Sequence, residues 1–162
     1  MLRISIEKKT LHFKQPAGTS RGVYTERDIW LLTMYDTCSP ENVGVGECAP
    51  LPDLSCDASE NYEKRLREIC NVVEQTGRID GSLLSPYPSM LFGLETAYLN
   101  MKNGRYLFDT PFSHGRCGIP INGLVWMGTA EEMNFRMEEK IKAGFSCVKL
   151  KIGAIDFESE LA

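Results

Sequence analysis

Residues 146–152 read Ser146-Cys147-Val148-Lys149-Leu150-Lys151-Ile152. Side chains alternate across a strand, so Val148, Leu150 and Ile152 share one face while Cys147, Lys149 and Lys151 share the other. Upstream, Gly118 to Trp126 is a second apolar, strand-like run. Between the two, Thr129-Ala130-Glu131-Glu132 forms a capping box, Met133, Met137 and Ile141 form a helical stripe, and Gly144 closes it. Strand, helix and strand over 118–152 spell a βαβ unit with parallel strands.

Parallel strands in such units are covered on both faces. The apolar triplet therefore packs on helices, and two ammonium groups point the other way, where an unpaired buried charge is costly. Two lysines persist there if they face a solvated mouth, meet carboxylates, or have basicity lowered by proximity and burial so that one serves as a general base. The competing reading is an edge strand whose lysines discourage aggregation. The strand alone leaves both open.

The first hundred residues follow a different grammar. Arg3 to Gln15 and Asp28 to Tyr35 read as strands, with Pro16 to Gly22 between them as a mobile loop rather than a tight hairpin. A turn over Asp36 to Asn42 leads into Val43-Gly44-Val45-Gly46-Glu47-Cys48-Ala49, a third strand of an antiparallel meander whose glycines permit close backbone approach. Asp57 with Glu60 resembles a capping box, and Tyr62, Leu66, Ile69, Cys70 and Val73 recur at helical spacing up to Gly77. A second helix opens at Pro88-Ser89, carries Leu91, Leu94, Tyr98 and Met101 on one stripe, and ends at Gly104. No repeat or low-complexity tract interrupts this order.

Composition narrows the function classes. A net charge of −4 without basic clusters argues against nucleic acid and anionic membrane as partners. The start lacks an apolar run, so neither a signal peptide nor a membrane span is expected and the cytoplasm is the default. Six dispersed cysteines without a CxxC pair read as reduced thiols, mostly buried. Gly44-x-Gly46-x-x-Ala49 fits a dinucleotide fingerprint in letters, but Pro50 and Pro52 block the helix that it must open. His12 and His114 have no second ligand at metal spacing and read as structural or solvated. Asp156, Glu158 and Glu160 read as acids at a helix start, Met133 and Met137 as core, and Trp30 and Trp126 as strand packing.

Four segments, in order, carry a family resemblance: Gly44-x-Gly46-Glu47 leading into Pro50-Leu51-Pro52; Pro88-Ser89-x-x-Phe92-Gly93; Ile121-Asn122-Gly123-Leu124; and Val148-Lys149-Leu150-Lys151-Ile152-Gly153. Together they resemble the enolase superfamily, in its muconate-lactonizing subgroup. Pro88-Ser89 with Phe92-Gly93, and Ile121-Asn122-Gly123, are most similar to o-succinylbenzoate synthases. The resemblance implies an α+β capping domain, an antiparallel meander plus helices, over residues 1–108. Over 109–162 it implies the first βαβ unit of a modified TIM-type (β/α) barrel, incomplete in this chain.

The resemblance further implies a magnesium-dependent syn-elimination of water from 2-succinyl-6-hydroxy-2,4-cyclohexadiene-1-carboxylate, a step of menaquinone biosynthesis. A carbon acid beside a carboxylate is too weak for an amine unless a metal stabilises the enediolate. Lys151 matches the general acid/base and Lys149 the neighbouring lysine that tunes it. Gly18, Thr19, Ser20, Arg21, Leu51 and Pro52 match the loops that meet the substrate, a small-molecule carboxylate. The carboxylates that hold Mg2+, and a second lysine, belong to later barrel strands, so the chain alone is expected to be inactive. Dipeptide epimerase, N-acylamino acid racemase and muconate cycloisomerase share the lysine strand and stand as alternatives. A noncatalytic α+β interaction module is the alternative of another class.

Overall fold

The computed structural model describes residues 1–19 and 22–153. Three strands open the chain: β1 (Leu2–Thr19), β2 (Gly22–Asp36) and β3 (Ser39–Cys48), an antiparallel meander in the order β1-β2-β3. Three helices follow, α1 (Tyr62–Thr76), the one-turn α2 (Gly81–Leu84) and α3 (Pro88–Asn103). Last come β4 (Gly123–Val125), α4 (Ala130–Lys142) and β5 (Val148–Leu150), with β4 and β5 parallel. This is an α+β layer followed by a βαβ unit, and the described residues form no closed barrel.

The first hairpin is longer than its letters suggest. Ala17 pairs with Tyr24, Gly18 with Val23 and Thr19 with Gly22, so residues expected to form an irregular loop continue the ladder. Pro16 cannot donate to a ladder, and the register indeed shifts between His12 and Ala17, but Val23 and Tyr24 are good strand formers and pairing resumes beyond it. The second turn is also tighter than expected: Asp36 accepts a hydrogen bond from the Cys38 amide at 3.0 Å, and β3 already begins at Ser39. Pro40 is tolerated there because β3 is an edge strand.

One layer of the core comes from the alternating residues Trp30, Leu32 and Met34 of β2, all buried. The other comes from Tyr62, Leu66, Ile69, Cys70 and Val73 of α1, the stripe read from the sequence. Gly77 ends α1 in the left-handed region at φ 68°, and its amide donates to the Val73 carbonyl. The stripe of α3 differs from the expected one. Met90, Gly93, Leu94, Ala97 and Met101 are buried, whereas Tyr98 is exposed, with the Lys102 ammonium 5.6 Å from its ring centre.

The reason lies on β3. A Cβ on Gly44 would overlap the Ala97 carbonyl and the Met101 amide; one on Gly46 would overlap the Gly93 carbonyl; one on Gly93 would overlap the Cys48 sulfur. Helix and strand thus touch backbone to backbone, and the contacting face of α3 is selected for small residues as well as apolar ones.

Asp57 does not cap α1, whose N-cap is Asn61 without a side-chain bond. It is 5% exposed, and its Oδ2 accepts from the Ser89 amide at 2.9 Å and the Ser89 hydroxyl at 2.6 Å. Since Ser89 gives its hydroxyl proton to Asp57, the Tyr62 hydroxyl, 2.5 Å away, donates to Ser89. Pro88 occupies the first helical position, and Asp57 supplies the acceptor that the next amide needs. Burial pushes the Tyr62 hydroxyl well above the usual phenol range.

Two further expectations need correction. The strand expected over Gly118 to Trp126 shrinks to Gly123–Val125, with Ile119 and Ile121 exposed, because its partner β5 is only three residues long and Pro120 lacks an amide proton. The cysteines are free, as expected, but only Cys48 and Cys70 are buried; Cys38, Cys56, Cys117 and Cys147 are exposed, because they lie in turns, loops or strand entries off the sheet–helix interface. In α4 the capping box of Thr129 and Glu132 is present, Met133 is buried, Met137 is half-buried and Ile141 is exposed.

Two outcomes follow for the intact protein. Gly46→Ala drives a methyl into the Gly93 carbonyl and costs about 3 kcal/mol, the upper end for overpacking, since backbone cannot step aside; an unchanged melting temperature would refute the close packing. Burial pushes the Cys48 and Cys70 thiols up to about 12, so at pH 8 they stay protonated and resist iodoacetamide until the protein is unfolded. Peptide mass mapping that found either thiol alkylated in the native state would contradict that burial.

Candidate functional site

The parallel register sets Gly123 beside Val148, Leu124 beside Lys149 and Val125 beside Leu150. Neighbours in a sheet point to the same side, so Gly123, Val125, Val148 and Leu150 form one face and Leu124 and Lys149 the other. Helix α4 covers the first face at β4: Val125 is fully buried, and a Cβ on Gly123 would press on Lys140 and Phe145. At β5 the cover is thinner than expected. Val148 is half-buried, and Leu150 and Ile152 are 39% and 54% exposed, because α4 lies over β4 and no described helix lies beyond β5.

The lysine face is open. Lys149 is exposed and Lys151 half-buried. The Lys151 amide donates to the Val125 carbonyl at 3.0 Å, which carries the ladder one step past β5 and places Lys151 next to Trp126 at the C-terminal ends of both strands. The Lys151 ammonium sits 3.5 Å from the centre of the Trp126 ring. Trp126, read from the sequence as strand packing, is 43% exposed; it lies one residue beyond β4, where the covering layer has ended.

Trp126 also lines a cleft of about 870 Å³ between the β1–β2 hairpin and the βαβ unit. Phe13, Pro16, Ala17 and Gly18 form its hairpin wall, and Leu124 lies beside Trp126 on the other. The hairpin therefore brings Gly18 and Trp126 to one cleft, with Lys151 on the same ring. Thr19 pairs with Gly22 through the backbone, and Ser20 and Arg21 lie outside the described residues.

Leu51 and Pro52 are placed elsewhere. The Leu51 carbonyl accepts from the Ser55 amide and its amide donates to the Ser55 hydroxyl at 2.9 Å, which makes a local turn. Pro52 lines a separate cleft of about 440 Å³ with Arg27, Trp30, Asp53 and Tyr62. The Arg27 guanidinium donates to the Ala49 carbonyl, tying that turn to β2.

Other candidates take structural positions. His12 lies in β1 with Nδ1 3.6 Å from Glu26, and His114 Nε2 is 2.6 Å from the Asp109 carboxylate. Asp156, Glu158 and Glu160 lie outside the described residues. Among the described residues no three His, Cys, Asp or Glu side chains gather to hold a metal, so they do not fit a magnesium site. No helix among them is long and apolar enough to cross a membrane.

Comparison with known proteins adds four likenesses. The profile of a family described as MenC, N-terminal domain, matches residues 18–101, more than half of the chain. An o-succinylbenzoate synthase of Desulfotalea psychrophila is 32% identical over 194 residues, which cover 99% of this chain and 52% of that protein. Among solved structures, the o-succinylbenzoate synthase of Thermosynechococcus elongatus, complexed with Mg in its active site, superposes with a TM-score of 0.64 at 23% identity, covering 98% of this chain and 45% of that one. An enolase family member from Agrobacterium tumefaciens with homology to dipeptide epimerases, with bound sodium and L-Ala-L-Glu, reaches 0.69 at 18% identity, covering 99% and 49%. The chain spans about half the length of the curated relatives it matches. At these identities the structural likenesses establish the fold.

Proposed function

The chain belongs to the MenC family, by its N-terminal domain, and from that premise we propose that the whole protein is an o-succinylbenzoate synthase, a carbon–oxygen lyase acting in menaquinone biosynthesis. Its substrate is then 2-succinyl-6-hydroxy-2,4-cyclohexadiene-1-carboxylate. Residues 1–108 serve as the capping domain and 109–162 as the start of the barrel. The observation that carries this reading is the place of Lys151, at the C-terminal end of a parallel strand, on the open face, beside a cleft walled by the first hairpin. Barrel enzymes build their sites from that end of their strands.

In this reading Lys151, as a neutral amine, takes the proton from the carbon beside the substrate carboxylate. The C–H electron pair moves into the carboxylate to give an enediolate. When it returns, the C–O bond to the departing hydroxyl breaks, and the ammonium of Lys151 hands the same proton to that oxygen, so water leaves and the amine is restored. One base on one face makes the elimination syn. Lys149, two residues back on the same face, is the second lysine of the proposed pair. Gly18, on the hairpin wall of the cleft, meets the substrate. Magnesium, the proposed cofactor, is bound by residues that this chain does not contain.

Dipeptide epimerisation is the second reading, favoured by the likeness to the Agrobacterium protein. It uses the same lysine for α-proton exchange without loss of water.

Assay of the intact protein with Mg2+ tests the proposal. Lys151→Ala is expected to lower kcat for the elimination by at least about 1,000-fold, within the range for removing an acid/base group, with an unchanged melting temperature. A fully active variant would sink the role of Lys151. A wild type inert toward this substrate, yet exchanging dipeptide α-protons for deuterium, would replace the synthase by the epimerase.

A further inference from the structure

We propose that Trp126 is a positioning residue for Lys151, its ring face fixing the amine at the strand ends; the inference rests on Lys151 being the acid/base. Three observations carry it. The contact is close: the Lys151 ammonium lies 3.5 Å from the ring centre. The other cation–ring pairs of the described residues, such as Lys8 with Trp30, Arg65 with Tyr87 and Lys140 with Phe145, lie at 5.5 to 5.9 Å.

The ring is also not core filler. Trp126 is 43% exposed and lines the cleft that Gly18 closes from the hairpin side, whereas Trp30 is 8% exposed, stacks at 4.6 Å on Tyr62 and donates to Glu63. Finally, the partner is of the right chemical kind. Among the described residues no carboxylate lies within ion-pair distance of Lys151. A carboxylate would hold an amine in its charged form, whereas an aromatic face orients it through a weaker attraction and leaves its lone pair free for a proton. The two side chains meet because the ladder continues from the Lys151 amide to the Val125 carbonyl, so strand register sets the pair.

The test uses the intact protein, with Lys151→Ala, Trp126→Leu and Trp126→Phe assayed for elimination of water from 2-succinyl-6-hydroxy-2,4-cyclohexadiene-1-carboxylate. Trp126→Leu is expected to lower kcat about 10- to 100-fold with KM little changed, the scale of a misplaced catalytic group. Trp126→Phe, which keeps a ring face, is expected to recover most of that loss. A Leu variant with wild-type kcat, a Phe variant as impaired as the Leu one, or a loss confined to KM would each overturn the positioning role.

A second measurement needs neither activity nor the Leu variant to fold. The difference in fluorescence between wild type and Trp126→Phe isolates the emission of Trp126, which Lys151→Met is expected to change; unchanged emission would show that the contact is not made. Lys151→Ala separates the two readings. If it remains active, the acid/base assignment falls; if it is dead while Trp126→Leu is fully active, the positioning role alone falls.

Discussion

The capping layer depends on a backbone contact that admits no side chain. Gly44 and Gly46 present bare backbone to α3, Gly93 does the same toward β3, and any Cβ at these positions would overlap main-chain atoms or the Cys48 sulfur. Interiors are packed too closely to absorb such overlap. The contact decides which side of α3 faces inward, and so why Ala97 is buried while Tyr98 is not. It also brings Ser89, at the start of the same helix, to Asp57 and Tyr62, where the Tyr62 hydroxyl donates to Ser89 and Ser89 donates to Asp57 Oδ2.

The same helices complete the edges of the sheet. The Ile4 amide on β1 donates to the Glu74 carboxylate of α1 at 2.6 Å, and the Val45 amide on β3 donates to the Asn100 side chain of α3 at 2.8 Å. Each outer strand thus has an amide occupied by a helix side chain, which blunts the tendency of open edges to recruit another chain. With its base held this way, the long β1–β2 hairpin reaches past the sheet to the βαβ unit, where Phe13, Pro16 and Gly18 wall the cleft that contains Trp126. Gly18 and Trp126 are far apart in sequence and line the same cleft.

At the lysine strand a single periodicity sorts chemistry from packing. Alternation puts Val148 and Leu150 on the side of α4 and Lys149 on the open side, and one more ladder bond adds Lys151 and Trp126 at the strand ends. A carboxylate would hold an amine in its charged form, whereas an aromatic face orients it through a weaker attraction. The placement of Pro52 at a different cleft, with Leu51 in the adjoining turn, divides the sequence-based set of site residues in two. Gly18 shares a cleft with Trp126, and Pro52 shares one with Arg27 and Tyr62.

What the sequence alone determined was whatever is periodic or local. The stripe of α1, the αL stop at Gly77, the capping box of Thr129 and Glu132, and the two faces of β5 each depend on residues within a few positions, so their physics is written in spacing. The close approach at Gly44 and Gly46 was legible for the same reason, since glycine has few other uses in a strand. Only the tertiary structure decided that Asp57 serves a helix 32 residues away, that Ala17 to Thr19 pair instead of looping, that the stripe of α3 turns toward its small residues, and that Trp126 lies under Lys151. Each of these rests on a partner supplied by another element. An acceptor, a facing strand, a bare backbone or a cation is a property of the assembled pair, and no window along one segment contains both members.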